Sequence, residues 1–278
     1  MSGVGAFYYS LCSLRAGHLA ARCVVRALRR LGLLREFCLP LEALELDHES
    51  VRGLMQLWRR IHWSPGDGMM PADQLLTVYR LAATWPVPGD VAELGAWVGL
   101  TTAYLAAACR VRGEGHVYAV DTFAGTKEGG TTYPSVERFG GSTLSAFKET
   151  IAHAEVADGV TPLMGLTTQV AASYAGRPIR LLLIDADHSF DGVRNDYLAW
   201  LDHVAPGGLI VFHDYQMRDV RRFVDAELRR DARILFRPGL VHPNVVAVSR
   251  ATVACRRAAD VLGPRAERPI QVQEVLVT

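Results

Sequence analysis

From residue 87 onward the chain alternates short apolar runs with longer amphipathic stretches, and this alternation most constrains its fold. Val91–Leu94, Val117–Val120, Val160–Met164, Leu181–Ile184 and Leu209–Phe212 read as strands. Helices are expected at 71–84, through about Arg110, and at 143–154, 191–203 and 217–230. Pro71 and Asp73 suit the first turn of the helix at 71–84, where a missing N–H costs nothing and an acid faces the positive helix end. Ala232–Phe236 and Val245–Ser249 are close enough in sequence to pair antiparallel. The Pro206-Gly207-Gly208 stretch reads as the stop after the fourth helix. Runs as uniformly apolar as Leu181–Ile184 suit strands covered on both faces. Strands alternating with helices build a doubly wound α/β sheet, here seven-stranded and mostly parallel with an antiparallel last strand.

Three segments follow. Residues 1–70 are a helical extension, with a basic amphipathic helix at 6–35 and a second helix at 48–62. Residues 71–250 form the α/β domain, and 251–278 a tail with a β-like end. Residues 1–35 hold six arginines and no acid, while the rest of the chain holds 24 basic and 29 acidic residues. The net +1 therefore hides a +6 arm and a −5 body, and it excludes a dedicated nucleic-acid binder. The 6–35 helix suits packing on the main domain or on a second copy of the chain better than a membrane surface. Cys12, Cys23, Cys38, Cys109 and Cys255 are odd in number and form no C-x-x-C pair, which fits free thiols in the cytoplasm. No apolar run reaches the about 18 residues of a membrane span, and the N-terminus lacks the order of a secretory signal.

The chemistry lies where strands end. The first ends in Glu93-Leu94-Gly95-Ala96-Trp97-Val98-Gly99. Gly95 and Gly99 allow a sharp turn and close approach of a ligand to the helix N-terminus. Trp97 stands where a dinucleotide motif needs its second glycine, which argues against a pyrophosphate there. Asp121 ends the second strand, 22 residues beyond Gly99, a usual place for an acid on ribose hydroxyls. The fourth strand runs into Asp185-Ala186-Asp187-His188-Ser189 and the fifth into His213-Asp214-Tyr215. Buried strands do not end in acids for packing reasons. Asp185, His213 and Asp214 suit one divalent cation, either Mg2+ or a transition metal. Alternatively, His188 or His213 acts directly as a general base. Asp187 or Ser189 also suits a helix N-cap, with Asp191 in the first turn. Residues 124–142 read as a long loop placed to act as a lid. Trp97, Phe123, Tyr133, Phe139 and Tyr215 suit either a pocket wall or plain core.

In order and spacing, residues 88–99, 120–125, 184–192 and 205–215 resemble the class I S-adenosylmethionine-dependent methyltransferases. The likeness is closest to the small-molecule O-methyltransferase branch that includes macrocin-type sugar methyltransferases, and it covers about residues 70–250. It implies a Rossmann-like fold with S-adenosylmethionine as cofactor and a small-molecule hydroxyl as methyl acceptor. Glu93, Gly95, Trp97 and Gly99 would surround the methionine part. Asp121 would hold the ribose, with Thr122 and Phe123 beside the adenosine and Gly165, Leu166 and Thr167 bordering adenine. Asp185 would reach the cofactor and serve as metal ligand or base. His213 and Asp214 stand where metal-dependent members often carry Asp-Asp or Asp-Asn, so the histidine is a departure. The alternatives are an NAD-type Rossmann oxidoreductase, which Trp97 opposes, and a non-enzymatic nucleoside-binding scaffold, which has no need of the Asp/His rim.

Overall fold

A computed structural model describes residues 70–128, 131–133, 136–236 and 242–252, together with Leu54 and Leu57, both helical and buried. The 6–35 helix, the rest of the 48–62 helix and the 253–278 tail lie outside the described residues.

The elements are α1 (Ala72–Thr84), β1 (Asp90–Leu94), α2 (Leu100–Arg112), β2 (Val117–Asp121), β3 (Thr126–Glu128), β4 (Thr131–Tyr133), α3 (Leu144–His153), β5 (Val160–Met164), α4 (Thr167–Ser173), β6 (Ile179–Ile184), α5 (Phe190–Trp200), β7 (Val204–Phe212), α6 (Arg218–Ala226), β8 (Ile234–Phe236) and β9 (Val246–Arg250). The main sheet has seven strands in the order β5-β2-β1-β6-β7-β9-β8. The five strands from β5 to β7 run parallel. β9 runs antiparallel to both β7 and β8.

Alternate residues of each central strand feed two separate cores, as the period of two requires. Val91, Leu181, Leu183 and Val211 face one layer, with Val78, Tyr79, Leu105 and Phe147. Ala92, Leu182, Ile184 and Phe212 face the other, with Val193, Tyr197, Trp200 and Phe223. Helices α1, α2 and α3 therefore cover one face and α4, α5 and α6 the other. Every residue of β1 and β6 is buried.

β6 begins two residues before the expected start because Arg180 interrupts its apolar run. That arginine is fully buried. It donates to Gly89 O (3.0 Å), Ala82 O (2.6 Å) and Cys109 Sγ (3.2 Å), which satisfies a charge that would otherwise be costly to bury. Three other expectations differ. The 124–142 loop contains the β3–β4 hairpin and a 3-10 turn at Val136–Phe139. α4 was not expected. Pro206–Gly208 lie within β7, and the helix before them ends at Trp200, followed by a 3-10 turn. Among the described residues no helix is long and apolar enough to cross a membrane.

Candidate functional site

β1 connects outward through β2 to β5, while β6 and β7 extend the sheet the other way. Ligands of doubly wound sheets bind outside the strand ends at this reversal. There the structure has a cavity of about 760 Å3, within the roughly 300–1,000 Å3 usual for small-ligand sites. Its wall includes Gly95, Trp97, Asp121, Thr122, Gly165, Leu166, Thr167, Asp185, His188, His213 and Asp214.

Gly95 lets the chain leaving β1 pass the chain leaving β6. A Cβ on it would lie 2.1 Å from the Asp185 carbonyl oxygen, and its φ is +91°. Beyond it, Asp121 organises two strained residues. Trp97 and Phe123 both hold left-handed backbone, at φ 48° and 54°. The amide of Trp97 donates to Asp121 Oδ2 and that of Phe123 to Oδ1, each at 2.7 Å. Charge-assisted bonds of this kind offset the cost of such conformations. Burial raises the Asp121 carboxyl above its usual value, opposed by the backbone amides of Trp97, Phe123, Ala96 and Thr122. Trp97 packs edge-on against Phe139, with ring centroids 5.7 Å apart. Its Nε1 is buried without a hydrogen-bond partner. A cavity bounded by the Asp121 carboxylate and the turns at Gly95 and Gly165 fits a polar nucleoside ligand.

Three residues expected on the cofactor stand behind the wall. The Glu93 side chain turns under α2, where the Thr102 hydroxyl donates to its Oε2. Gly99 caps α2 and packs against Phe147. Phe123 is fully buried against Phe147. Tyr215 lies outside the wall, its hydroxyl bonded to Asp225. The side chain of Tyr133 is outside the described residues.

The polar rim converges as expected. His213 Nδ1 lies 2.8 Å from Asp185 Oδ1 and 3.4 Å from Asp214 Oδ2. His188 Nε2 lies 3.4 Å from Asp185 Oδ1 and 3.2 Å from Asp214 Oδ2. Two residues that the sequence reading missed complete the group. His213 Nε2 meets Gln74 Oε1 at 2.5 Å, and Asn244 Nδ2 donates to Asp214 Oδ1 at 2.8 Å. Both ring nitrogens of His213 face acceptors and therefore donate, which makes the ring an imidazolium. Burial alone would lower its pKa, but the charges and hydrogen bonds of Asp185 and Asp214 push it up to about 10. Burial opposes ionisation of Asp185 and Asp214, yet the two imidazoles hold both carboxyls below their usual range. Asp187 Oδ1 accepts from the Ser189 amide, and Ser189 Oγ caps α5 by accepting from Gly192 N.

One donor atom from each of Asp185, His188, His213 and Asp214 lies within 4.8 Å of the others. A cluster of two imidazoles and two carboxylates fits a divalent transition ion better than Mg2+, which favours oxygen and water.

A sequence profile described as a methyltransferase domain matches residues 92–215. Among solved structures, the O-methyltransferase NovP superposes with a TM-score of 0.53 at 17% identity, over 66% of this chain and 82% of that one. The S-adenosylhomocysteine-bound methyltransferase PaMTH1 of Podospora anserina gives 0.53 at 16%, over 71% and 88%. A putative O-methyltransferase of Klebsiella pneumoniae gives 0.50 at 17%, over 72% and 90%. At these identities the likeness establishes the fold.

Asp121→Ala is expected to weaken S-adenosylhomocysteine binding by about 1–3 kcal/mol, through lost charge-assisted bonds and release of the Trp97 and Phe123 turns. Titration calorimetry checks this, and unchanged affinity would remove Asp121 from the site.

Proposed function

We propose that this chain, whose residues 92–215 form a class I S-adenosylmethionine-dependent methyltransferase domain, methylates a hydroxyl group of a small molecule. The cofactor is S-adenosylmethionine, which when bound supplies a methyl group on a sulfonium centre. One observation carries the choice of a hydroxyl: the Asp185–His188–His213–Asp214 cluster at the cavity wall, a device for taking up a proton. An O-methyltransferase name on two of the similar folds supports it. A concave cavity of about 760 Å3 suits a small acceptor rather than a polymer.

The residues divide the work. His213 is a positioning residue: with both nitrogens engaged, it neutralises the carboxylates and fixes their orientation. His188, against Asp185 and Asp214, receives the hydroxyl proton, and the two carboxylates stabilise the resulting imidazolium. Gln74, on His213, and Asn244, on Asp214, hold this arrangement. Asp121 and the turns at Gly95 and Gly165 hold the nucleoside, so the acceptor oxygen approaches in line. We place the enzyme in the cytoplasm on its scattered cysteines; Cys109 is a buried free thiol. The expected helix at 6–35 is assigned to packing on this domain or on a second copy.

His188→Asn is expected to lower kcat by about 100- to 10,000-fold while S-adenosylhomocysteine affinity stays near wild type. Mass spectrometry of products from a panel of sugars, phenols and amines identifies the acceptor. Methylation confined to amines would refute the hydroxyl assignment.

A second reading rests on the same four donor atoms. Asp185, His188, His213 and Asp214 would hold a divalent ion that lowers the hydroxyl pKa, with Gln74 and Asn244 orienting the ligands. Full activity after EDTA treatment supports proton transfer alone. Loss restored by Mn2+ or Co2+ supports the metal.

A further inference from the structure

The acceptor end of the cavity is walled by residues next to the Asp/His cluster. Met70 stands one turn before Gln74, whose side chain reaches His213. Met217 follows Asp214 by three residues, and its amide donates to the Asp214 carbonyl oxygen at 2.8 Å. Leu100 and Thr101, at the start of α2, continue this wall. The uncharged polar groups here are already engaged. The Thr101 hydroxyl donates to Met70 Sδ at 3.9 Å. Asn244 Nδ2 is taken by Asp214 and Gln74, while its Oδ1 accepts from the Gln216 amide at 3.0 Å. A sugar pressed against this wall would leave several hydroxyls without partners, each at a cost. A flat ring would not, and thioether sulfur favours contact with aromatic rings.

Charge narrows the class further. Asp121, Asp185, Asp187, Asp196 and Asp214 all line the cavity, with Asp196 held by the Thr167 hydroxyl. The two histidines of the rim cannot offset all five aspartates. The chain holds 30 lysines and arginines, yet among the described residues none lines the cavity. A cleft of one sign repels ligands of the same sign. Carboxylates, phosphate esters and nucleotide-linked acceptors would meet no cation there. We infer that the methyl acceptor is an uncharged phenol, its ring against Met70, Leu100 and Met217 and its hydroxyl on His188. The phenol oxygen bonds the methyl carbon as the sulfur–carbon bond breaks, and the O–H proton passes to His188. An aromatic hydroxyl, with a pKa of about 10 as in tyrosine, yields that proton more readily than a sugar hydroxyl.

This inference rests on the methyl transfer to a hydroxyl proposed above, and one set of probes separates the two. The probes are 4-propylphenol, 3-(4-hydroxyphenyl)propionate, which ends the same chain in a carboxylate, and methyl glucoside. Titration calorimetry on the full chain saturated with S-adenosylhomocysteine is expected to show 4-propylphenol binding at least about 10-fold tighter than either of the others. With S-adenosylmethionine, kcat/KM follows the same order. Met217 is 40% exposed, so the wall tolerates a charge there. Met217→Arg supplies the missing cation and is expected to shift the preference toward the propionate by about 10-fold or more. Equal or tighter binding of the propionate or the glucoside by wild type, or binding of none of the three, overturns the phenol assignment and leaves the methyl-transfer reading intact. An unchanged preference in Met217→Arg overturns the placement of the ring beside Met217. Binding in the expected order without methylation overturns the methyl-transfer reading instead.

Discussion

Alanine at position 95 is expected to lower kcat at least about 100-fold, because an added methyl displaces Asp185 by an amount comparable to the 1 Å misplacements that cost that much. The new Cβ would meet the Asp185 carbonyl oxygen at 2.1 Å and its carbon at 2.6 Å. Both contacts are backbone, so neither can rotate away; β1 and β6 must part where the cavity begins. Overpacking and the left-handed φ together cost about 2–5 kcal/mol. Gly140→Ala is the control: φ is +71° there and nothing lies within 4 Å of the added atom, so only about 1 kcal/mol of backbone strain should appear. Thermal unfolding and single-turnover kinetics on the pair separate strain from displacement. Wild-type turnover in Gly95→Ala would show that the close approach of the two strand ends does not position Asp185.

Glu93→Gln is expected to make the protein more stable, increasingly so as pH rises. Burial raises the Glu93 carboxyl from 4.5 to about 8, with Asp185 and Asp121 adding to the rise and the Thr102 hydroxyl opposing it. The folded pKa lies above the unfolded one. The stability this group lends is therefore complete below about pH 4.5 and is lost as pH climbs through about 8. Glutamine mimics the neutral form and still accepts from Thr102. The difference between variant and wild type should change by about 1.4 kcal/mol per pH unit across this window, to a limit of about 5 kcal/mol, and then level off. Urea unfolding at about pH 6 and about pH 9 measures it. Parallel pH dependence in the two proteins would mean that Glu93 is ionised in the fold throughout.

The legible part of the fold was the part with strong local patterning. The strands β1, β2, β5 and β6 are readable because each is a short, mostly apolar run that meets glycine or acid at its end, and β5 matches its expected bounds. α4 escaped notice because its seven residues, Thr-Thr-Gln-Val-Ala-Ala-Ser, bury only Ala171 and leave little apolar period. The start of β6 was hidden by Arg180, a charge whose buried partners lie 71 to 98 residues away. The site divides the same way. Asp121, Asp185, His188, His213 and Asp214 stand at strand ends, where sequence position alone indicates a shared rim. Gln74, Asn244 and Asp196 sit inside a helix, a turn and a helix, and each is defined by what it meets across the fold. A polar residue on an apolar helix face was the available signal for Gln74 and Asp196.

Gln74 and Asn244 are 170 residues apart, yet Asn244 Nδ2 lies 3.4 Å from Gln74 Oε1 behind the His213–Asp214 pair. The nucleoside end of the cavity draws instead on β1, β2, β5 and α5. Alignment of the proton-handling group therefore depends on α1 and on the turn before β9, so loosening either element impairs it while leaving the nucleoside end in place.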